Sequence, residues 1–125
     1  MILDTNALSA TADNDSGIAA FLACADLVAI PVIVLGEYRY GIAQSRRRDD
    51  YEGWLQGLLN DCMVLDINEP TTHFCVEINL ELKRMGKSIP TNDLWISALC
   101  RQHSLPLLSR DRHFDVVPGN KRIEW

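Results

Sequence analysis

Short apolar runs alternate along the chain with segments that have helical periodicity. This rhythm is typical of βαβ units, in which parallel strands are joined by helices. The runs that we interpret as strands are residues 1–4, 27–30, 63–67, 106–109 and 122–125. The pattern therefore predicts an α/β fold with a mostly parallel sheet.

Helical periodicity marks the segments between these runs. The predicted helices are residues 16–24, 32–43, 49–60, 70–85 and 92–103. In the fourth of them, Phe74, Ile78 and Leu82 recur at helical spacing, which places them on one helix face. Gly86 then suits the left-handed position that ends many helices.

The composition is ordinary for a globular protein, with 47% hydrophobic and 23% charged residues. A chain of 125 residues is long enough for one core and too short for two, so we predict a single domain over residues 1–125. No apolar run approaches the roughly 18 residues of a transmembrane helix, and the N-terminus lacks signal-peptide character. We therefore expect a cytoplasmic protein with one functional site.

The cysteines and histidines form no pattern that indicates zinc or redox chemistry. The cysteines are widely spaced in apolar surroundings without a Cys-x-x-Cys pair, which favours buried thiols at Cys24, Cys62, Cys75 and Cys100. The histidines also lack a His-Glu-x-x-His spacing, and they are His73, His103 and His113. A zinc site is therefore not expected.

Polar residues directly follow two of the predicted strands, at the place where parallel sheets bind their ligands. Asp4 follows the first strand, and Asp111 comes shortly after the fourth. Because the carboxyl ends of parallel strands meet at one edge of a sheet, these two carboxylates are expected on the same rim.

Two further acids stand in apolar surroundings. Glu37 lies within the predicted helix 32–43, and Asp93 begins the apolar helix that continues with Leu94. An isolated carboxylate in such surroundings is costly to ionise unless its charge is compensated. Mg²⁺ or Mn²⁺, which prefer carboxylate oxygens and water, would supply the compensation.

Four acids around such a cation would suit hydrolysis of a nucleic-acid backbone. Neutral hydrogen-bonding residues adjoin them and are expected to orient the carboxylates: Thr5, Asn6, Asn92 and Ser109. Each acid also has a structural explanation, however. Asp4 and Asp111 could cap the segments that follow them, Asp93 could be a first-turn acid that the helix dipole favours, and Glu37 could be half-exposed.

Four segments, in order along the chain, resemble the PIN domain, and especially the VapC-type toxins of prokaryotic toxin–antitoxin pairs. They are Leu3-Asp4-Thr5-Asn6, Val34-Leu35-Gly36-Glu37, Asn92-Asp93-Leu94-Trp95 within residues 89–96, and residues 108–114 followed by Val117-Pro118-Gly119. This resemblance implies a three-layer α/β/α sandwich of about five strands. It also implies that Asp4, Glu37, Asp93 and Asp111 are the catalytic, metal-binding acids. The first strand departs from the pattern, because only three residues precede Asp4.

The resemblance further implies a function and partners. The activity would be a Mg²⁺- or Mn²⁺-dependent endoribonuclease, in which a metal-activated water hydrolyses RNA and leaves 5′-phosphate and 3′-hydroxyl ends. Family members typically form homodimers and are neutralised by a small antitoxin that covers the acid pocket, which here would be VapB-like. A PIN nuclease of RNA maturation is an alternative.

A formal net charge of −5 is unusual for a protein that binds RNA, since phosphate contacts usually come from Lys and Arg. Binding depends on local potential, however, and an acid cluster filled with Mg²⁺ itself binds phosphate. The residues expected to contact RNA are Arg46, Arg47, Arg48, Arg110 and Arg112, with further positive charge from Arg39, Lys83, Arg84 and Lys87. The run 46–48 has a solvated loop as its alternative interpretation.

A signalling receiver domain is the alternative from a different functional class, with Asp66 as its phosphate acceptor. That class needs adjacent acids after the first strand, whereas Asp4 stands alone there. It also leaves Glu37 and Asp93 unexplained. A haloacid-dehalogenase-like phosphatase would need an acid two residues after Asp4, where this chain has Asn6.

Overall fold

Five short strands form one parallel sheet in the computed structural model, which describes residues 1–125. They are β1 (Ile2–Leu3), β2 (Ala29–Pro31), β3 (Met63–Leu65), β4 (Leu107–Leu108) and β5 (Arg122–Ile123). Their order across the sheet is β3-β2-β1-β4-β5, and every neighbouring pair is parallel. Each strand overlaps one of the apolar runs, so the predicted five-stranded α/β fold is confirmed.

Six α-helices and one 3₁₀ helix connect these strands. They are α1 (Thr5–Ala12), α2 (Ser16–Ala23), α3 (Val32–Ala43), α4 (Arg48–Leu59), α5 (Glu69–Arg84), α6 (Thr91–His103) and the 3₁₀ helix Arg112–Val116. The five predicted α-helices are all present, with ends shifted by at most one residue. None of the helices combines the length and the apolar character that crossing a membrane requires.

Helix α1 was not predicted, because its sequence has many polar residues of low helix propensity and only a weak apolar face. Two features outside that pattern stabilise it. Asp4 caps its first turn, accepting a hydrogen bond of 2.7 Å from the Thr5 amide. Ala7 and Leu8 are fully buried, so tertiary packing outweighs the low propensity.

The central strands are covered on both faces. Successive residues of a strand point to opposite faces, yet Ile2 and Leu3 of β1 are both fully buried, as are Leu107 and Leu108 of β4. Helices must therefore lie on either side of the sheet, which confirms the three-layer α/β/α arrangement.

The order of the strands fixes where a ligand site would lie. From β1 the chain adds β2 and β3 on one side, and it then crosses over to place β4 on the other side of β1. The carboxyl ends of β1 and β4 therefore flank the point where the winding direction changes. Open parallel sheets bind ligands at such points.

The prediction of four buried thiols is only partly correct. All four cysteines are free, but only Cys75 and Cys100 are buried. Cys62 is half-buried and Cys24 is exposed, because Cys24 lies at the C-terminal cap of α2, beyond the part of that helix that faces the core.

Candidate active site

Asp4 directly follows β1 and is buried, with 6% of its surface exposed. Its Oδ1 accepts a hydrogen bond from the Thr5 amide at 2.7 Å. Its Oδ2 accepts bonds from Asn6 Nδ2 at 2.8 Å and from Ser109 Oγ at 2.6 Å. Burial raises the pKa of Asp4, and the charges of Glu37 and Asp111 raise it further, against the lowering effect of these hydrogen bonds.

Ser109 joins the end of β4 to the end of β1. Its hydroxyl is fully buried, donates to Asp4 and accepts the backbone amide of Asp111 at 2.9 Å. Asn6 adds a second connection, because its Oδ1 accepts the Arg110 amide at 3.1 Å. The segment that carries Asp111 is therefore held against Asp4 across the switch point of the sheet.

Asp111 caps the 3₁₀ helix, with Oδ1 accepting the His113 amide at 2.9 Å. This cap brings the imidazole back over the acid, so that His113 Nδ1 lies 3.3 Å from Asp111 Oδ1. The same nitrogen lies 3.6 Å from Asp93 Oδ2. Asp93, Asp111 and His113 thus offer three ligand atoms that all lie within 4.8 Å of one another.

Asp93 lies in the first turn of α6 with 15% of its side chain exposed. Burial, and after it the charges of neighbouring carboxylates, chiefly Asp111 and Asp4, raise its pKa to about 6, although His113 acts in the opposite direction. This carboxylate therefore faces other carboxylates in a partly desolvated position, which is the electrostatic setting typical of functional sites.

Glu37 projects from α3 towards the same edge of the sheet. Its Oε2 accepts a hydrogen bond from Thr5 Oγ1 at 2.7 Å, and its Oε1 accepts one from Asn92 Nδ2 at 2.7 Å. Thr5 adjoins Asp4, and Asn92 adjoins Asp93. Thr5 therefore connects Asp4 with Glu37, Ser109 connects Asp4 with the backbone of Asp111, and His113 lies between Asp111 and Asp93. We call the four acids, together with Thr5, Asn6, Asn92 and Ser109, the acid cluster.

The two explanations of these acids are not exclusive. Asp4 and Asp111 do cap the helices that follow them, as the structural explanation predicted. Asp93 lies in the first turn of α6, where the helix dipole favours an acid, and Glu37 is half-buried, so these two explanations hold as well. Such local explanations account for each acid by itself, but they do not account for all four lying at one edge of the sheet.

A search against models of protein families matches residues 1–120 to the PIN domain. The chain belongs to the PIN-domain family. Over 98% of its length it is 26% identical to ribonuclease VapC5 of Mycobacterium tuberculosis, covering 91% of that protein. Over 99% of its length it is 27% identical to ribonuclease VapC2 of Rickettsia felis, covering 96% of that protein.

A solved structure shows the same fold. The crystal structure of VapBC2 from Rickettsia felis bound to a DNA fragment from their promoter contains a chain that matches with a TM-score of 0.85 at 26% identity. The alignment covers 99% of this chain and 97% of that one. Membership of the PIN family excludes the receiver-domain and phosphatase alternatives, and Asp66 is exposed beside edge strand β3.

The donor set of this PIN domain fits a hard divalent cation. Its ligand groups are carboxylates, with one imidazole beside them, and no cysteine lies among them. Burial, and secondarily the neighbouring carboxylates, raise the pKa values of Asp4 and Asp93, so the protein by itself stabilises their ionised forms poorly. A bound Mg²⁺ or Mn²⁺ would neutralise their charge.

The arginines expected to contact RNA lie outside the acid cluster. Arg110 stacks over the Trp125 ring at 4.3 Å and lies 3.5 Å from Asp15, so its side chain is directed away from Asp111. Arg47 packs against Tyr51 on α4, with its charged group 5.6 Å from the ring centroid. Arg112, Arg46 and Arg48 are exposed.

Sequence reasoning missed two contributors to this site. His113 was considered only as a zinc ligand, although its position two residues after a capping acid could have placed it beside Asp111. Arg122 was not considered at all. Its guanidinium, with only 11% of the side chain exposed, donates to the Ser109 carbonyl at 3.0 Å and pairs with Asp115 at 2.7 and 2.9 Å. Asp115 and Arg122 therefore brace the segment that carries Asp111.

Proposed function

We propose that this protein is a metal-dependent endoribonuclease that hydrolyses RNA phosphodiester bonds. The observation that carries the proposal is the acid cluster at the switch point of the sheet, where Asp93 and Asp111 offer ligand atoms within 4.8 Å together with His113, and where Asp4 and Glu37 lie near enough to raise the pKa of Asp93. Because a charge cluster of this kind is costly to the folded protein, it calls for a cationic ligand. The similarity to proteins named ribonuclease VapC supports RNA as the substrate.

Asp4, Glu37, Asp93 and Asp111 would hold the metal, which we propose to be Mg²⁺ or Mn²⁺. When bound, the ion supplies a Lewis acid for the phosphodiester and lowers the pKa of a coordinated water. The chain's own residues supply the geometry. Asn6 and Ser109 fix the orientation of Asp4, while Thr5 and Asn92 each donate a hydrogen bond to one oxygen of Glu37.

His113 lies at the mouth of this cluster with 62% of its side chain exposed. From there its imidazole can donate a hydrogen bond to Asp93 or Asp111, or to a phosphate oxygen of the substrate. Arg112 adjoins it and is exposed, which makes it the predicted arginine best placed to meet RNA. The wider set of contacts proposed from sequence also includes Arg46, Arg47, Arg48 and Arg110.

We further propose that the protein is the toxin of a VapBC-type pair, forms a homodimer and is inhibited by a VapB-like antitoxin. This assignment is favoured over a nuclease of RNA maturation because the similar proteins are named VapC and the similar structure is that of VapBC2. Its site of action would be the cytoplasm, where the cellular RNA lies.

Cleavage of total RNA by the purified protein tests the nuclease proposal. With Mg²⁺ or Mn²⁺ we expect discrete fragments that carry 5′-phosphates, because attack by water does not use the 2′-hydroxyl. EDTA should prevent the cleavage, and so should the Asp93→Asn variant. Asp66→Asn is the matched control, since Asp66 is exposed and lies outside the acid cluster.

Two results would contradict the proposal. Equal cleavage with EDTA would exclude a metal, and fragments with 2′,3′-cyclic phosphates would exclude hydrolysis by water. For the toxin assignment, induced expression of the chain should arrest growth, and co-expression of a short protein from a neighbouring gene should relieve the arrest. A gene without such a neighbour would remove the toxin assignment but leave the nuclease.

A further inference from the structure

A shallow groove of about 430 Å³ opens beside the acid cluster, between α3 and the start of α6. Its lining residues are Val32, Ile33, Gly36, Glu37, Tyr40 and Asn92. Glu37 and Asn92 belong to the acid cluster as well, and they are hydrogen-bonded to each other. The groove is therefore continuous with the proposed catalytic site.

Tyr40 forms the outer wall of this groove, with 75% of its surface exposed. It lies one turn after Glu37 on α3, so the two side chains emerge from the same side of the helix. Its ring stacks on no other aromatic ring of the chain. An aromatic face is thus left free about one helical turn from a catalytic acid.

Gly36 leaves the floor of the groove open. It lies one turn before Tyr40, and a Cβ placed on it would contact nothing within 4 Å. A glycine inside a helix costs about 1 kcal/mol relative to alanine. The packing of α3 does not require a glycine at this position, because there is space for a larger side chain.

We propose that this groove is a nucleobase subsite, in which Tyr40 stacks on an unpaired base of the RNA next to the cleaved phosphate, above the space left by Gly36. This inference rests on the proposed ribonuclease function. No lining residue is basic, so the groove suits an uncharged base and not a phosphate. Proteins that read single-stranded RNA commonly stack its bases on exposed aromatic side chains.

Three variants test the subsite by fluorescence anisotropy with a fluorescein-labelled, random-sequence RNA dodecamer, with Ca²⁺ replacing Mg²⁺ and a gel to verify that the RNA stays intact. Tyr40→Ala should weaken binding about tenfold, whereas Tyr40→Phe should stay within about twofold of the wild type. Gly36→Ala should also weaken binding about tenfold, because its methyl group occupies the space of the base.

Gly57→Ala is the matched control for Gly36→Ala, since Gly57 lies in α4 and also has nothing within 4 Å of an added Cβ. Both alanine variants should raise the melting temperature, but only Gly36→Ala should lose RNA affinity. A higher melting temperature together with weaker RNA binding would show that the added methyl group blocks the subsite and does not damage the fold.

The outcomes distinguish the subsite from the nuclease itself. If the wild type binds and cleaves RNA and Tyr40→Ala does so equally well, the subsite is wrong and the nuclease stands. If the wild type neither binds nor cleaves, both proposals fail. If sedimentation velocity shows that Tyr40→Ala changes the oligomeric state, the groove is a contact with a second copy, which also overturns the subsite.

Discussion

The acids of this protein occupy two opposite kinds of environment. Around α5, α6 and β5, carboxylates face arginines. Glu81 forms a bidentate pair with Arg101 at 3.1 and 2.9 Å, and Arg122 does the same with Asp115. These arginines lower the pKa values of Glu81 and Asp115.

At the switch point of the sheet, by contrast, carboxylates face one another. Burial, reinforced by the neighbouring carboxylates, raises the pKa of Asp4 and raises that of Asp93 to about 6. The difference separates two uses of negative charge. Where acids support the fold, the chain supplies the compensating cation itself, and where they serve the proposed chemistry, it leaves that charge for a ligand to neutralise.

Replacing one acid from each environment with its amide should produce the largest difference, which we expect in the rate of RNA cleavage. Asp93→Asn should lower the rate of RNA cleavage at saturating Mg²⁺ at least about a hundredfold, because it removes a proposed metal ligand. Glu81→Gln should leave the rate within about twofold. Both rates would be measured under single-turnover conditions. A loss of similar size in both variants would mean that the acid cluster has no special role in catalysis.

The ion pairs should instead matter for stability. Arg122→Met should lower the free energy of unfolding by about 1–3 kcal/mol, because it leaves Asp115 unpaired and the Ser109 carbonyl without its donor. Lys121→Met, next to it in sequence and without an ion pair, should change stability by less than about 0.5 kcal/mol. Urea unfolding measures both, and equal effects would contradict the bracing role of Arg122.

With EDTA present to remove metal ions, the free energy of unfolding should depend on pH, because the carboxylates of the acid cluster have no cationic partner. The folded-state pKa of Asp93 is about 6, above its ordinary value of 3.8, so its contribution to stability is fully present below about pH 3.8 and lost as the pH rises through 6. Between pH 5 and 7.5 the protein should lose about 1 kcal/mol.

Asp93→Asn should abolish most of this loss, and excess Mg²⁺ should offset it in the wild type. The paired acids do not interfere in this pH window. Their pKa values are lowered, so their contributions disappear only when the pH falls below the usual range of carboxyl groups. Urea unfolding at pH 5 and pH 7.5 measures these effects. If Asp93→Asn lost as much stability between the two pH values as the wild type, the loss would not come from Asp93.

The smallest effect is expected where a paired acid faces water. Arg39 and Glu52 form a bidentate contact, but their side chains are 43% and 39% exposed. Glu52→Gln should therefore change the free energy of unfolding by less than about 0.5 kcal/mol. If Glu52→Gln lowered the free energy of unfolding as much as Arg122→Met does, burial would not explain why one ion pair stabilises the protein more than the other.

The sequence predicted the elements because they depend on local signals, and local patterns together with the resemblance to the PIN domain singled out the four acids, whose role in metal binding stays a prediction. Strong periodicity marks α4 and α5, and polar residues after apolar runs mark Asp4 and Asp111. Helix α1 escaped prediction because its stability comes from a cap and from buried Ala7 and Leu8, which the local pattern does not show.

Contacts between distant segments could not be predicted. The bond from Thr5 to Glu37 depends on how α1 and α3 pack, and that from Ser109 to Asp4 depends on the sheet order. Arg110 illustrates the same limit. Its position beside Asp111 indicates an RNA contact, but the fold supplies Trp125 and Asp15 as partners that direct its side chain elsewhere.

The acid cluster joins residues that lie far apart in the chain, so it cannot form early in the protein's synthesis. Asp4, Glu37 and Asp93 are translated first, but Ser109 and Asp111 must emerge from the ribosome before β4 can pair with β1 and close the cluster. Translation adds about 5–20 residues per second, so the nascent chain lacks a complete site for at least roughly 5 seconds after Asp4 has been synthesised. A nascent enzyme of the proposed kind would thus stay inactive on the ribosome until these later residues are exposed.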